Sequence, residues 1–386
     1  MAVCILFLAP ALQPLGAAQN AAPALSSVDL GTVPRGVAVG SGSIYAVLYL
    51  NGTTLALNAQ TLKTVAKIAT PSPYAVAVDP ATGRVYVSQG GGSPIAVIDG
   101  SSDSVVATIN GTGTPYALAV DEGDGVLLCA DTGGSSLWLV NTSTDAVGAR
   151  VPIADTSALA VDPTVHEAFA GNVSSDQSSG SIDVVNTTSM SLIRAVQIPI
   201  PPGHFSVDPS SHLLFVSSAG VSGTGANFLA IDDRTFQTVY SLHLGESPNV
   251  MAVDSSSHVY VSDSGTNRLY EIDAATGQVL LNSTGNPNAG GPTGISFTGI
   301  TGMAVDPQTG SLYITENDVT SLIVLTVGST STTTTASTTT ASTSSSTSSV
   351  DPLYLLVLPA VAVFAAALFG MLYMRGRQAR RPATSR

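Results

Sequence analysis

An internal repeat of about forty residues is the feature that most constrains this chain. Each unit has a short apolar stretch, usually ending in Asp, then a polar turn and a stretch rich in β-branched and aromatic residues. The units lie at residues 36–49, 75–88, 117–130, 158–171, 204–217, 250–262 and 302–315. Counted from Gly40, which replaces the Asp in the first unit, equivalent positions are 39 to 52 residues apart. That length is typical of a four-stranded propeller blade. The sequence predicts an all-β, seven-bladed β-propeller over residues 25–327.

The four strands of one unit are seen most clearly in residues 75–109. The segment AVAVD (75–79) is small and apolar, as an inner strand crowded around a central axis must be. A turn of the form Asp-Pro-x-x-Gly follows, in which Asp caps the turn and Gly adopts a positive φ. The second and third strands are RVYVS (84–88) and IAVID (95–99), and SVVATI (104–109) has the single apolar face of an outer strand.

The last unit supplies only three strands before the repeats end. The segment LSSVDLG (25–31) precedes the first inner strand and has the character of an outer strand. We expect it to pair beside residues 321–327 as the fourth strand of the last blade. Such pairing closes the ring and removes an exposed edge.

Two apolar runs outside the repeats predict membrane-related segments. The first run predicts a signal peptide over residues 1–18 with cleavage before Gln19, although no Lys or Arg precedes its apolar region and Asn20-Ala21-Ala22 offers a later cleavage site. Residues 353–374 contain no charged residue and would span about 33 Å as a helix. The Arg-rich tail 375–386 should stay cytoplasmic. We therefore expect a single-pass protein of the cell membrane with an extracytoplasmic N-terminal domain.

A Ser/Thr-rich segment, residues 328–350, joins the repeats to the predicted membrane span. Such a composition cannot bury enough apolar surface to offset its chain entropy, so we expect a disordered stalk. Its place beside the span favours a spacer through a cell-surface layer. Both an O-glycosylated spacer and a plain flexible linker fit this composition.

Acidic residues dominate the chain, with 26 Asp and Glu against 13 Lys and Arg. Because five of the arginines follow the apolar run, residues 1–350 carry a formal charge of −17. Nucleic acids and anionic lipid surfaces both require a positively charged protein surface, so this charge disfavours them as partners.

The chain has two cysteines. Cys4 lies in the predicted signal, and Cys129 on an apolar strand is expected to be a buried, inert thiol.

Two stretches resemble known repeat families. GRVYVSQGGGSPIAVIDGSSDSVVATINGTGTPYALAVD (83–121) looks like the YVTN-type β-propeller repeats of prokaryotic, especially archaeal, cell-surface proteins. GITGMAVDPQTGSLYIT (299–315) is also similar to the related NHL-type blade. The resemblance covers nearly all of residues 25–327, and its motifs specify blade packing, not chemistry. It implies an extracellular propeller and leaves the ligand open.

The five histidines are the candidates for a metal ligand or a catalytic base. His166, His212 and His258 align with glycines in the turn between the first and second strands. We expect equivalent turns of neighbouring blades to lie well over about 10 Å apart, too far to share a metal with bonds near 2 Å. The recurrent aspartates lack the spacing of a calcium loop, so turn capping is expected of them. We therefore predict no metal site and no cofactor.

The sequence contains no GxSxG elbow, no phosphate-cradling glycine loop and no haem-attachment motif. Amidating-lyase-type propellers need several axial histidines, and only His204 begins an inner strand near the axis.

The leading hypothesis is a non-catalytic binding, adhesion or envelope-layer protein of the cell surface. The alternative is a membrane-tethered enzyme of lyase or lactonase type that uses the axial pocket. A purely structural layer subunit, which would self-associate through blade rims, is a third possibility.

The residue before each inner strand is expected to line the axial opening. Three loops that should open on the same face are long, at residues 171–181, 217–227 and 286–301. The predicted ring consists of Arg35, Tyr74, Tyr116, Ser157, Gly203, Asn249 and Thr301, with His204 adjacent. One cation, two phenols and several polar groups suit a glycan or peptide held by stacking and hydrogen bonds. The ring is our predicted ligand site, with an extracellular protein or glycan as partner; the other interpretation is that these residues merely plug the tunnel mouth.

Six Asn-x-Ser/Thr sequons are candidates for glycosylation, and all fall in or beside predicted loops, where an acceptor must lie. They are centred on Asn51, Asn110, Asn141, Asn172, Asn186 and Asn282.

Overall fold

The computed structural model describes residues 24–326, apart from 41, 93, 154–155, 157, 219–224, 283–296, 298 and 318. The predicted signal peptide, stalk, membrane span and basic tail lie outside the described residues. Across the described part the chain forms β-strands and one 3-10 turn at Tyr49–Asn51. In that part of the chain no helix has the length and apolar character needed to cross a bilayer.

Each blade is an antiparallel sheet of four strands. Blade 1 comprises β2 (Gly36–Gly40), β3 (Ser43–Leu48), β4 (Thr53–Asn58) and β5 (Thr64–Ala69). Blade 2 comprises β6 (Pro73–Asp79), β7 (Arg84–Gln89), β8 (Ile95–Asp99) and β9 (Ser104–Ile109). Blade 3 comprises β10 (Pro115–Asp121), β11 (Val126–Asp131), β12 (Ser136–Asn141) and β13 (Ala146–Pro152). Blades 4 and 5 comprise β14 (Leu159–Asp162), β15 (Glu167–Val173), β16 (Gly180–Asn186), β17 (Ser191–Ile198); and β18 (His204–Asp208), β19 (Leu213–Ser217), β20 (Phe228–Asp232), β21 (Thr238–Leu242). Blades 6 and 7 comprise β22 (Pro248–Val253), β23 (His258–Asp263), β24 (Arg268–Asp273), β25 (Val279–Asn282); and β26 (Ile300–Val305), β27 (Ser311–Glu316), β28 (Ser321–Thr326), β1 (Ala24–Asp29).

The seven sheets close into a ring. Each inner strand contacts the inner strand of the next blade, and β26 of blade 7 contacts β2 of blade 1. Strand β1 pairs antiparallel with β28, with Ser26 opposite Val324 and Ser27 opposite Ile323. The predictions of seven blades and of closure by the N-terminal strand are therefore confirmed.

Burial changes from the axis to the rim as the repeat pattern predicts. In blade 2 the small inner strand β6 is half-buried, and β7 and β8 are almost wholly buried. The outer strand β9 exposes most of its residues. Strands covered on both sides by neighbouring blades need continuous apolar stretches, whereas a rim strand needs only one apolar face.

The apolar core is divided into seven clusters, and each lies between two adjacent blades. Large second-strand side chains reach across these interfaces. The phenol of Tyr45 donates to Asp103 Oδ1 of blade 2 at 3.0 Å, and that of Tyr313 donates to the Ala59 carbonyl of blade 1 at 3.2 Å. Because each blade packs only on its neighbours, blades 1 and 7 are covered on both sides only when the last interface forms.

The turn after each inner strand is capped as the sequence predicts. In blades 2 to 7 the Asp that ends the inner strand accepts a hydrogen bond from the backbone N–H two residues further on. Gly83 and His166 adopt the expected positive φ in these turns. The alignment of His258 with Gly83 is wrong: this turn is one residue shorter, Ser257 has the positive φ, and His258 begins β23.

Candidate functional site

A bulge at the start of the inner strand places side chains at the predicted opening. The register between first and second strands shifts in four blades, within 73–76, 115–117, 248–251 and 300–302. Each interval contains a predicted ring residue, namely Tyr74, Tyr116, Asn249 and Thr301. A bulge bends its strand and redirects the unpaired side chain, and such bulges are frequent beside functional sites.

A hydroxyl at the end of the second strand secures the bulged backbone. The Ala75 N–H donates to Ser88 Oγ at 3.0 Å, and Ser262 Oγ donates to the Val250 carbonyl at 3.2 Å. In blade 7 Thr315 Oγ1 bonds to Thr301 Oγ1 at 3.0 Å. Backbone groups freed from the ladder need such partners when they are buried. Three of the four bulged blades therefore have a Ser or Thr at this position, whereas bulged blade 3 has Ala130 and unbulged blade 5 has Ser217, so the hydroxyl alone does not predict a bulge.

Three of the predicted ring residues form one stack. The Arg35 guanidinium carbon lies 3.7 Å from the ring centroid of Tyr74. Tyr116 meets Tyr74 edge to face, with centroids 4.4 Å apart. Tyr49, from the turn between β3 and β4, is 5.7 Å from the same guanidinium carbon. The cation is held over aromatic faces, which orients its N–H donors without requiring an acidic partner.

The stack is open to solvent. Arg35 is exposed, and Tyr74 and Tyr116 are each partly exposed. Among the described residues, no acidic side chain forms an ion pair with Arg35 and no acceptor receives its side-chain N–H groups. The guanidinium therefore presents free donors at the mouth.

A cleft of about 420 Å³ opens on the same face, between the loop after β7 and the loop that enters β10. Gly92, Asn110, Thr114 and the indole of Trp138 line it. Trp138 is the only tryptophan of the chain, and its Nε1 is buried without a hydrogen-bond partner among the described residues. Because Thr114 is two residues before Tyr116, the cleft extends the aromatic surface away from the axis.

His204 begins β18 as predicted, and its imidazole is only partly accessible. Its Nδ1 is buried and receives no hydrogen bond within the described part of the chain. Burial lowers the pKa of His204 to about 4, so the ring is neutral at physiological pH.

The remaining described ring positions are not part of the stack, although Thr301 lies beside it. The Thr301 hydroxyl donates at 3.3 Å to the carbonyl of Pro34, the residue before Arg35. The Asn249 carbonyl accepts from Ser217 Oγ at 2.7 Å, and the Gly203 N–H donates to the Ser217 carbonyl. Ser157 lies outside the described residues. The structure thus brings Arg35, Tyr74 and Tyr116 together, and the other described ring positions belong to other blades.

Turns at the opposite ends of the inner strands contact the neighbouring blades. His166 Nδ1 lies 3.1 Å from Asp124 Oδ1, and His212 Nδ1 lies 3.4 Å from Asp162 Oδ2. In each pair the histidine belongs to the blade that follows. The expectation that neighbouring turns are well over about 10 Å apart is therefore wrong for these side chains, because they extend sideways across the blade interface.

The sequons differ in how their side chains are used. Asn51 and Asn110 are exposed. Asn141 Oδ1 accepts from the Thr144 N–H at 3.0 Å, and Asn186 Nδ2 donates to the His166 carbonyl at 3.2 Å. Asn172 and Asn282 are partly buried strand residues. Glycosylation consumes the amide nitrogen, so Asn51 and Asn110 are the acceptors best presented by the fold.

Comparisons with known proteins address the fold. No protein-family model matches the chain, and no curated protein matches it in sequence. Among solved structures, Kuenenia stuttgartiensis hydrazine synthase is similar with a TM-score of 0.63 and 14% identity over 75% of this chain and 94% of that chain. The Myceliophteria thermophila Cps50 (Swd1) β-propeller domain has a TM-score of 0.62 and 10% identity over 79% of this chain and all of that domain. At these identities the likeness shows a shared β-propeller architecture.

Proposed function

We propose that this protein is a non-catalytic binding module of the cell surface, which holds an extracellular glycan or peptide at the mouth of the propeller. The observation that carries the proposal is the exposed stack of Arg35, Tyr74 and Tyr116. Adhesion to a neighbouring cell or attachment to an envelope layer would follow from such binding. The predicted stalk 328–350 and span 353–374 would present the module outside the membrane.

The chemistry of the mouth favours a ligand with both a flat face and an anionic or carbonyl oxygen. Partly exposed phenol rings offer a surface on which a sugar ring or peptide group can stack. Arg35 can donate two parallel hydrogen bonds to one carboxylate. The surrounding protein is strongly acidic, so an acidic ligand would be repelled except where this cation is presented.

The test is a screen of glycans and short peptides against the purified full chain, followed by measurement of affinity for any ligand found. We expect Arg35→Ala to weaken binding by about tenfold to a hundredfold, because a hydrogen bond to a charged group is worth roughly 1.5–3 kcal/mol. Tyr74→Ala should weaken binding similarly, since it removes both the stacking face and the support for Arg35.

Arg194→Ala is the matched control for Arg35→Ala. Arg194 is another exposed arginine, 4.7 Å from the ring of Phe236, but it lies on outer strand β17 far from the axis. Its removal should leave affinity unchanged. If Arg35→Ala and Tyr74→Ala both bind the ligand as tightly as the original chain, the mouth is not the binding site.

The enzymatic alternative, a lyase or lactonase, would use His204 as its base. Within the described part of the chain, no carboxylate or second imidazole forms a hydrogen bond or ion pair with His204. A pKa near 4 also makes its imidazole a weak base at neutral pH. The geometry therefore favours binding over catalysis.

A further inference from the structure

At two blade interfaces the residue after the third strand contacts the inner-strand Asp of the preceding blade. Between blades 3 and 4 this residue is Thr187, and its hydroxyl lies 2.6 Å from Asp121 Oδ2 and 2.8 Å from Asp124 Oδ2. The Asp121 Oδ1 accepts from the Gly123 N–H at 2.9 Å. The carboxylates at this interface are thus satisfied by hydroxyl and amide donors.

Between blades 4 and 5 the same position is an aspartate, Asp233. Both Asp233 and the Asp162 that it faces are fully buried, at 0% exposure. Neither Asp233 oxygen, nor Asp162 Oδ2, receives a hydrogen bond from any described residue. A carboxylate stands here where the preceding interface has a hydroxyl donor, so two buried acceptors face each other.

An imidazole completes the group. His212 Nδ1 lies 3.4 Å from Asp162 Oδ2 and 3.7 Å from Asp233 Oδ1, and one ligand atom from each residue falls within 4.8 Å of the others. Ligands at about 2.0–2.1 Å from a tetrahedral ion are roughly 3.3–3.4 Å apart. The two separations from His212 Nδ1 are close to that value.

The negative charge around Asp162, His212 and Asp233 favours a bound cation. Glu167 and Asp232 add negative charge nearby, and Arg194 offsets part of the charge of Glu167. Exposed Arg234, whose guanidinium contacts His212 Nε2, is a basic side chain that acts on Asp233. Burial and the Asp162 carboxylate raise the pKa of Asp233. A buried carboxylate pair must be neutralised either by a shared proton or by a metal ion.

We propose that Asp162, His212 and Asp233 bind a divalent transition-metal ion, with zinc or manganese the fitting choices, and that this ion links blades 4 and 5. Two carboxylates and one imidazole balance a charge of +2 and supply the oxygen and nitrogen ligands these metals prefer. Calcium takes six to eight oxygen ligands and fits less well. Ligation through Nδ1 leaves the proton on Nε2, so Arg234 turns toward solvent when the metal binds. The site lies away from the mouth and is independent of the proposed ligand.

The experiment combines elemental analysis with thermal unfolding of the full chain. After dialysis against EDTA, addition of Zn²⁺ or Mn²⁺ to about a hundredfold excess over the dissociation constant should raise the unfolding midpoint by about 5 °C. Asp233→Thr should abolish that response, because it recreates the hydroxyl donor of Thr187. His212→Asn, which tolerates the positive φ of 55° at this position, should weaken it.

Asp124→Asn at the satisfied interface is the control and should keep the full metal response. If the chain binds neither metal, or if Asp233→Thr responds as strongly as the original chain, the proposal is overturned and the pair shares a proton instead.

Discussion

A chain that begins at residue 30 should be less stable than one that begins at residue 24 by about 4–6 kcal/mol in free energy of unfolding. The longer chain retains β1 (Ala24–Asp29), which pairs with β28 along six residues. A net contribution of about 1 kcal/mol for each backbone hydrogen bond gives most of this figure. The rest comes from Val28, which packs against the apolar cluster between blades 7 and 1.

The shorter chain should also aggregate, because removal of β1 exposes the edge of β28. That strand, SLIVLT, is apolar and would present unpaired N–H and C=O groups. Denaturant unfolding and light scattering of the two chains measure both effects. Equal stability of the two chains would show that β1 is not needed to close the ring.

Leu214→Ala should lower the free energy of unfolding by about 3–5 kcal/mol. Leu214 lies on β19 with 0% exposure, inside the cluster between blades 4 and 5. The loss combines the transfer free energy of the removed atoms with the cavity they leave, which a tightly packed blade interface cannot refill. Denaturant unfolding monitored by circular dichroism gives the difference.

Leu192→Ala is the matched control for Leu214→Ala. Leu192 lies on outer strand β17 and is 45% exposed, so the same substitution should cost less than about 1 kcal/mol. Comparable losses at the two positions would contradict the arrangement of buried second strands and exposed outer strands.

The architecture follows from sequence because the repeat constrains it several times over. Each of the seven units shows the same order of apolar stretch, turn and β-prone stretch, so a strand that is ambiguous in one unit can be assigned from the equivalent strands of the others. Closure follows from counting: the last unit lacks a fourth strand and residues 25–31 have no other partner. The capping role of the inner-strand aspartates also follows, since an Asp before a tight turn accepts local N–H groups.

The candidate site was only partly predictable. The positions Arg35, Tyr74 and Tyr116 follow from their place before an inner strand. Their stacking does not, because it depends on bulges that move Tyr74 and Tyr116 out of the ladder. The Ser88 hydroxyl binds the backbone of the bulge at Tyr74, but blade 3 has Ala130 at the equivalent position, so no shared residue type in the second strand predicts both bulges.

Contacts between blades do not follow from the repeat. His166 and His212 lie in the predicted turns and His258 begins β23, but a periodic sequence does not show how far a side chain reaches sideways. The role of Asp233 does not follow from the repeat for the same reason, since the residue type after a third strand has meaning only beside the Asp162 of another blade. Its difference from Thr187, at the equivalent position of blade 4, is the sequence signal.

Disulfide formation across the closing pair tests the ring most directly. In a chain that begins at residue 24, we introduce S27C with I323C, and separately S26C with V324C. Two variants are needed because opposed residues along an antiparallel pair alternate between a wider and a closer Cα spacing, and the closer spacing suits a disulfide. The remaining Cys129 is fully buried, and burial raises the pKa of its thiol. The control is S26C with I323C, whose side chains lie on opposite faces. We predict an intramolecular disulfide in at least one of the first two variants and none in the control; disulfides in neither paired variant, or equally in the control, would contradict closure by the N-terminal strand.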